Sequence, residues 1–203
     1  MALTIEQVMN QPGVRTIADR EHTHVGGNAL EGDPETFAPG VWAYVCERFA
    51  VASVLDLGCG IGYSSAWFFS KGVKVVAVDG LRANVERAVF PCLEVDLTKQ
   101  PVNCRVDLVH CQEVVEHIEE AYLDNLLASL CCGKFILMTN ALPGQGGYHH
   151  VNEQPSEYWI SHLMQRGCTL LGWDTRRIRE LAGREGASYL SKTGMLFVNT
   201  RRL

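Results

Sequence analysis

Three glycines at alternate positions, Gly58, Gly60 and Gly62, are the residues whose spacing most clearly suggests chemistry. They follow the apolar run 53–57, and glycine permits a tight turn and a close approach of the backbone to a ligand. Asp79 ends the next apolar run, where a carboxylate could accept hydrogen bonds from two ribose hydroxyls or, alternatively, cap the following helix. The pattern predicts a nucleotide-like ligand at the carboxyl ends of two neighbouring strands.

The residues around this loop distinguish between two kinds of ligand. The dinucleotide fingerprint is G-x-G-x-x-G, but here Ile61-Gly62-Tyr63 brings the third glycine one position early. Asp56 stands two residues before the loop, and a carboxylate there would repel a pyrophosphate. A ligand that carries an ammonium group and a sulfonium would suit this position better.

Two segments carry a resemblance to a known family. Val54-Leu-Asp-Leu-Gly-Cys-Gly-Ile-Gly62 resembles motif I of the class I S-adenosylmethionine (SAM)-dependent methyltransferases. Residues 106–118, which end in Glu-His-Ile, resemble the motif after the fourth strand of that family. The resemblance extends over residues 37–203 and implies a methyltransferase that uses SAM as its cofactor.

The resemblance also implies how the first two loops would hold SAM. Gly58, Gly60 and Gly62 would pass under its methionine part. Asp56 would lie near its amino group, and Asp79 would bind its ribose.

The later loops would hold the other end of the cofactor and the reacting methyl group. Gly80, next to Asp79, is expected in the same site. Asp96 would accept a hydrogen bond from the adenine amino group, and Leu97 would donate its backbone N–H to the ring. Asp96 could instead cap a turn before Thr98. Gln112 would approach the methionine carboxyl group or the methyl group.

The expected acceptor site lies in the polar, glycine-rich loop 144–155 after the fifth strand. A hydroxyl acceptor needs a general base, and histidine has an ordinary pKa of about 6.5. One of His149 and His150 is therefore expected to line the acceptor pocket, although both could simply brace the loop. The loop resembles an HxN-type segment of small class I enzymes, some of which methylate sugars or other small molecules.

Further polar residues lie outside this loop. Glu113 is a third candidate catalytic residue, because it would share a helical face with His117 if that segment is helical; His117 could instead close the end of that helix. His22 and His24 could belong to a lid over the cofactor or to a solvated loop. No metal site is expected, because adjacent histidines such as His149 and His150 rarely point the same way.

Apolar runs alternate with helical segments and indicate the elements that position these residues. The strands are expected at 53–57, 73–79, 93–96, 106–111, 134–139, 168–172 and 194–200, and the helices at 3–10, 37–49, 62–70, 82–89, 119–131, 156–166 and 174–185. This order predicts an α/β fold, a doubly wound, mostly parallel seven-stranded sheet with helices on both faces. By the resemblance it is Rossmann-like, and its last strand is antiparallel. Residues 1–36 are expected to form a flap before the methyltransferase domain 37–203.

Composition limits the classes of function. The chain of 203 residues is 47% hydrophobic and 20% charged, as in ordinary soluble proteins. The absence of a long apolar run and of a signal-peptide pattern predicts a cytoplasmic protein without a membrane partner. The net charge of −5 disfavours nucleic acid as a partner, and Gln112-Glu113-Val114 lacks the (N/D)-P-P-(Y/F) motif of amino-methylating nucleic-acid enzymes.

The expected function is methyl transfer from SAM to a small-molecule acceptor, at an oxygen. The alternatives are a nucleic-acid or protein methyltransferase and a noncatalytic SAM-binding protein. The oligomeric state is left open by the sequence.

Overall fold

The computed structural model describes residues 24–26 and 31–203, and the helix expected at 3–10 and His22 lie outside these ranges. The strands are β1 Ser53–Leu57, β2 Lys74–Asp79, β3 Cys92–Glu94, β4 Val106–Cys111, β5 Gly133–Met138, β6 Cys168–Leu170 and β7 Met195–Asn199. The α-helices are α1 Pro39–Phe49, α2 Tyr63–Ser70, α3 Arg82–Arg87, α4 Leu123–Leu130, α5 Ser156–Gln165, α6 Gly172–Glu185 and α7 Ser188–Thr193.

All seven strands form one sheet in the order β3-β2-β1-β4-β5-β7-β6. β7 runs antiparallel to β5 and β6, and the other pairs of neighbours are parallel. The sheet reverses its winding direction between β1 and β4, so the loops after these strands diverge and leave a crevice. The predicted mostly parallel, doubly wound sheet is confirmed.

Alternate residues of the central strands bury against opposite layers of helices. Val54, Leu108 and Leu137 point into a core that includes side chains of α1, α2, α6 and α7. Leu55 and Val109, one position further along their strands, belong to a core that includes side chains of α4 and α5. Because both faces of the sheet are covered, the central strands have near-continuous apolar sequences.

The segment after β4 differs from the expected pattern. Glu113 has a left-handed backbone with φ of 54°, so no helix can run from Glu113 to His117. Single 3₁₀ turns occupy Val115–His117 and Glu120–Tyr122 before α4 begins. The expectation that Glu113 and His117 share a helical face is therefore wrong.

Helix length also bears on membrane contact. Among the residues that the structure describes, none of the helices has both the length and the apolar character needed to cross a bilayer.

Candidate functional site

The glycine loop leaves β1 in a turn that only glycine fits. Gly58 N and Cys59 N donate to Val78 O of β2 over 2.9 and 3.0 Å. Gly58 has φ of +72°, and a Cβ there would come within 2.3 Å of Val114 Cγ2. At Gly60, with φ of +57°, a Cβ would meet no described atom within 4 Å. The loop is thus packed against the protein at Gly58 and open to a ligand at Gly60.

Asp79 joins the end of β2 to this loop. Its Oδ2 accepts a hydrogen bond from Gly60 N over 2.8 Å. Its Oδ1 accepts from Leu81 N and Asn84 Nδ2 over 2.9 and 3.1 Å, which also caps the turn before α3. Burial raises the pKa of Asp79 to about 6, although the hydrogen bonds act in the opposite direction.

Asp56 is the centre of a buried hydrogen-bond chain. Its Oδ2 accepts from Ser64 Oγ and Ser65 Oγ over 2.6 and 2.5 Å, and its Oδ1 lies 2.7 Å from His110 Nδ1. Trp42 Nε1 lies 3.2 Å from His110 Nε2. Because an indole nitrogen only donates, His110 Nε2 accepts and His110 Nδ1 donates to Asp56.

This chain determines the surroundings of the Asp56 carboxylate. Burial acts to raise its pKa, but His110 and the two serines outweigh burial and hold the pKa below its usual value. Both carboxylate oxygens are engaged within the protein, and the residue is only 1% exposed. Asp56 thus lines the larger cavity and also braces β1 against α2 and β4; its place near a cofactor amino group stays a prediction.

Two adjoining cavities open at the carboxyl edge of the sheet. The larger has a volume of about 280 Å³, and its lining includes Asp56, Gly58, Gly60, Gly62 and Gln112. The smaller has a volume of about 50 Å³, and its lining includes Gly58, Asp79, Gly80, Asp96 and Leu97. Gly58, Glu113 and His117 border both. The structure therefore brings the nine expected cofactor residues together around two adjoining cavities.

Asp96, at the smaller cavity, already has partners. Its Oδ1 accepts from Thr98 N and Thr98 Oγ1 over 2.9 and 2.7 Å, so the turn-capping alternative is what the structure shows. Its Oδ2 lies 2.9 Å from His24 Nε2 and 3.0 Å from Lys99 Nζ. Burial opposes these bonds, but the bonds hold its pKa well below the usual range. His24, for which the sequence left a lid and a solvated loop open, thus contacts a residue of the site.

Gln112 is a polar side chain placed for a ligand. It follows β4, lines the larger cavity and is 8% exposed. Neither its Oε1 nor its Nε2 has a hydrogen-bond partner among the described residues. Since buried amide groups are nearly always hydrogen-bonded, this side chain suits a ligand that offers both a donor and an acceptor.

Glu113, Glu116 and His117 form a titratable cluster beside the cavities, in which Glu116 and His117 are buried and Glu113 is partly buried. Thr139 Oγ1 accepts from Glu113 N and donates to Glu113 Oε1, both over 2.8 Å. Burial raises the pKa of Glu113 to about 7 and that of Glu116 well above its usual value. Burial also lowers the pKa of His117 to about 4, against its hydrogen bond to His149 O. Glu116 escaped the sequence reasoning, although its three-residue spacing from Glu113 is a visible signal.

The structure separates the two adjacent histidines. His150 lines the larger cavity, and its Nδ1 lies 3.0 Å from Glu153 Oε1. His149 has a left-handed backbone with φ of 58° and lines neither cavity, and its buried Nδ1 has no partner among the described residues. Of the three expected catalytic residues, Glu113 and His150 therefore reach the cavity and His149 does not. Their catalytic roles stay predictions.

Comparison with known proteins shows which families this chain resembles. Residues 34–131 match the family model described as a methyltransferase domain. The match covers just under half of the chain and shows that this segment is similar to that family. A 75-residue stretch is 35% identical to a protein named ubiquinone biosynthesis O-methyltransferase from Rickettsia typhi, and covers 32% of this chain. The match spans only 30% of that relative.

Solved structures show the same fold. The methyltransferase domain of bacterial-CtHen1-C aligns with a TM-score of 0.54 and 17% identity, over 79% of this chain and 94% of that one. Magnesium protoporphyrin IX methyltransferase from Synechocystis, solved with bound SAM, aligns with a TM-score of 0.52 and 18% identity, over 64% of this chain and 66% of that one. The resemblance to class I SAM-dependent methyltransferases is confirmed for the fold.

Proposed function

We propose that this methyltransferase domain binds SAM and transfers its methyl group to an oxygen atom of a small-molecule acceptor. The observation that carries the proposal is the meeting of the open glycine loop at Gly60, buried Asp79 and the unpartnered amide of Gln112 around adjoining cavities. SAM supplies an activated methyl group on its sulfonium. The part of the protein is to bind and orient both molecules.

The cofactor would occupy both cavities. Its methionine end would lie over Gly60 in the larger cavity, where the Gln112 amide can bond to its carboxylate. Asp79 would accept from the ribose hydroxyls. The adenine would reach the smaller cavity beside Gly80 and Leu97. Because that space measures only about 50 Å³, an adenine ring there requires Val25 and its neighbours to give way.

The remaining part of the larger cavity would take the acceptor. Its wall combines the rings of Phe37 and Tyr63 with the polar groups of Glu113 and His150, a mixture typical of small-molecule sites. The name of the Rickettsia relative, an O-methyltransferase, supports an oxygen acceptor. Glu113 and His150 are the residues proposed to contact that oxygen.

A thermal-shift comparison of SAM, S-adenosylhomocysteine and NAD tests the cofactor. At about 100 times its dissociation constant, a ligand that binds only the folded protein stabilises it by about 2.7 kcal/mol. We expect this shift with SAM and S-adenosylhomocysteine. Asp79→Asn should reduce it strongly, whereas Glu94→Ala, the exposed carboxylate paired with Asp79 on β3, should not. Stabilisation by NAD but not by SAM would refute the proposal.

Turnover needs a separate measurement. Release of S-adenosylhomocysteine can be followed with a panel of sugars and other hydroxylated metabolites. Binding of SAM without release for any member of a broad panel would favour the noncatalytic alternative.

A further inference from the structure

We propose that Glu116, His117 and His150 form a binding site for a divalent transition-metal ion beside the larger cavity. One ligand atom from each of the three side chains lies within 4.8 Å of the other two. Two of the residues come from the 3₁₀ turn after β4, and the third comes from the loop after β5. The site therefore joins two segments at the carboxyl edge of the sheet.

Glu116 is the strongest evidence for a ligand. The residue is 0% exposed, and neither carboxylate oxygen has a well-aligned hydrogen-bond donor among the described residues. Its polar neighbour is the carboxyl group of Glu113, which disfavours a second negative charge and so leaves room for a cation to stabilise the pair. A carboxylate is almost never fully buried unless it is paired or coordinates a metal. Its backbone oxygen accepts from Val151 N and Asn152 N, both over 3.0 Å, which fixes the turn against the histidine loop.

The hydrogen bonds of both histidines leave the same ring atom available. His117 Nδ1 lies 3.0 Å from His149 O. A carbonyl oxygen only accepts, so Nδ1 carries the proton and the lone pair of the neutral ring is on Nε2. His150 Nδ1 lies 3.0 Å from Glu153 Oε1, which favours the same tautomer. Metal-ligating histidines are held in this way by an oxygen on the far nitrogen.

Glu153, the partner of His150, is itself held in place by the backbone of its loop. Its Oε2 accepts from Gly144 N over 2.7 Å, and its Oε1 accepts from Gly146 N over 2.6 Å. The loop is thus closed around the carboxylate that orients His150. From the sequence, no metal site was expected, because the side chains of adjacent histidines such as His149 and His150 rarely point the same way. In the structure only His150 of that pair contributes, and the other two ligands come from a different segment.

The donor set indicates the class of ion. Two imidazoles and one carboxylate suit ions such as Mn²⁺, Co²⁺ or Zn²⁺, whereas Ca²⁺ and Mg²⁺ prefer oxygen ligands. His117 and His150 line the larger cavity, so open coordination positions would face the acceptor. An acceptor hydroxyl bound to the ion would become more acidic. His150 would then serve as a ligand of the ion and not as the general base. That last role rests on the proposed function, but ion binding does not.

Titration of the whole chain with Mn²⁺, without SAM, tests the site. Electron paramagnetic resonance measures the free Mn²⁺, whose signal falls as the ion binds. Mn²⁺ is used because softer ions such as Zn²⁺ would also bind the eight cysteines of the chain. We expect one ion per chain. Glu116→Gln should weaken binding by about 100-fold or more, and Glu153→Gln, which removes an orienting partner, by roughly 10- to 100-fold. His162→Ala, a histidine of α5 outside the cluster, should bind as the wild type does.

Thermal unfolding shows whether a variant has lost the site or the fold. Without metal, Glu116→Gln should unfold at no lower temperature than the wild type, since it keeps the side-chain shape. Mn²⁺ should stabilise the wild type and leave this variant unchanged. Absence of a saturable site, or wild-type affinity in Glu116→Gln, overturns the proposal. Because SAM is omitted, a failure of the cofactor experiment leaves this result unaffected.

Discussion

At the scale of single residues, Asp79 links ligand binding to pH. Its carboxyl group is buried, its pKa is raised to about 6, and it borders the smaller cavity while both oxygens accept hydrogen bonds within the protein. A raised pKa means that the folded protein holds this proton more tightly than the unfolded chain, so the group is ionised at pH 7 and largely protonated at pH 5. A ribose diol donates its hydrogen bonds, and the ionised form is the better acceptor. Cofactor binding should therefore weaken as the pH falls below about 6.

We predict that the affinity for S-adenosylhomocysteine falls about tenfold between pH 7 and pH 5, because the ionised fraction of a group with this pKa falls by about that factor. Isothermal titration calorimetry at both pH values measures it. Asp79→Asn should bind weakly and with a flatter pH profile. Equal affinity of the wild type at the two pH values would contradict the role given to Asp79.

At the scale of elements, the chain Trp42–His110–Asp56 connects α1, β4 and β1 behind the glycine loop. We predict that Trp42→Phe costs about 1–3 kcal/mol, since it leaves buried His110 Nε2 without its donor. The melting temperature should then fall by roughly 2–4 °C per kcal/mol.

Trp67→Phe is the matched control for this substitution. Its ring centroid lies 5.4 Å from that of Trp42, but the side chain is only half-buried. Chemical denaturation of both variants separates the lost hydrogen bond from the smaller ring. Equal losses of stability would show that the bond between Trp42 and His110 contributes little.

The elements that the sequence predicted are those whose pattern is set locally. β1 and β4 are buried on both faces nearly throughout, and β2 and β5 are buried over their carboxyl-terminal halves, so apolar runs mark all four. The turns between β4 and α4 follow no such pattern, because the left-handed backbone of Glu113 is held by Thr139, 26 residues away in sequence. The short helix α7 was not predicted, since Ser188–Thr193 is too short to show a clear period.

Among the site residues too, those fixed by local sequence were predictable, and those fixed by distant contacts were not. The glycines and Asp79 were predictable because a strand end and a turn fix them. Asp96 was assigned to adenine, but His24, 72 residues away, contacts it. Glu116 was passed over because its spacing from Glu113, although visible in the sequence, does not reveal that the carboxylate is fully buried. Partners that meet only through the fold carry no local signal.

At the scale of the whole molecule, charge governs the choice of partners. The chain has a net charge of −5, whereas nucleic-acid binding relies on cations that replace the counterions of the phosphates. We predict no binding of RNA or DNA at an ionic strength of about 0.15 M, a condition under which charges more than about 8 Å apart are screened.

Fluorescence anisotropy with labelled single- and double-stranded oligonucleotides measures this. The relevant surface is Trp173, Arg176 and Arg177 on α6, which line a shallow depression with Glu180. Tight binding that weakens steeply as salt is added would contradict the prediction and point to these arginines.

The strand order has a consequence for how the protein can be divided. β4 lies inside the sheet, with β1 on one side and β5 on the other, while the segment that matches the family model ends at residue 131, before β5 begins. A fragment cut there would expose the backbone N–H and C=O groups of an apolar strand along its whole length. Such an edge recruits strands from other molecules. Residues 34–131 alone would therefore aggregate, and the C-terminal part of the chain acts as a built-in protection against self-association.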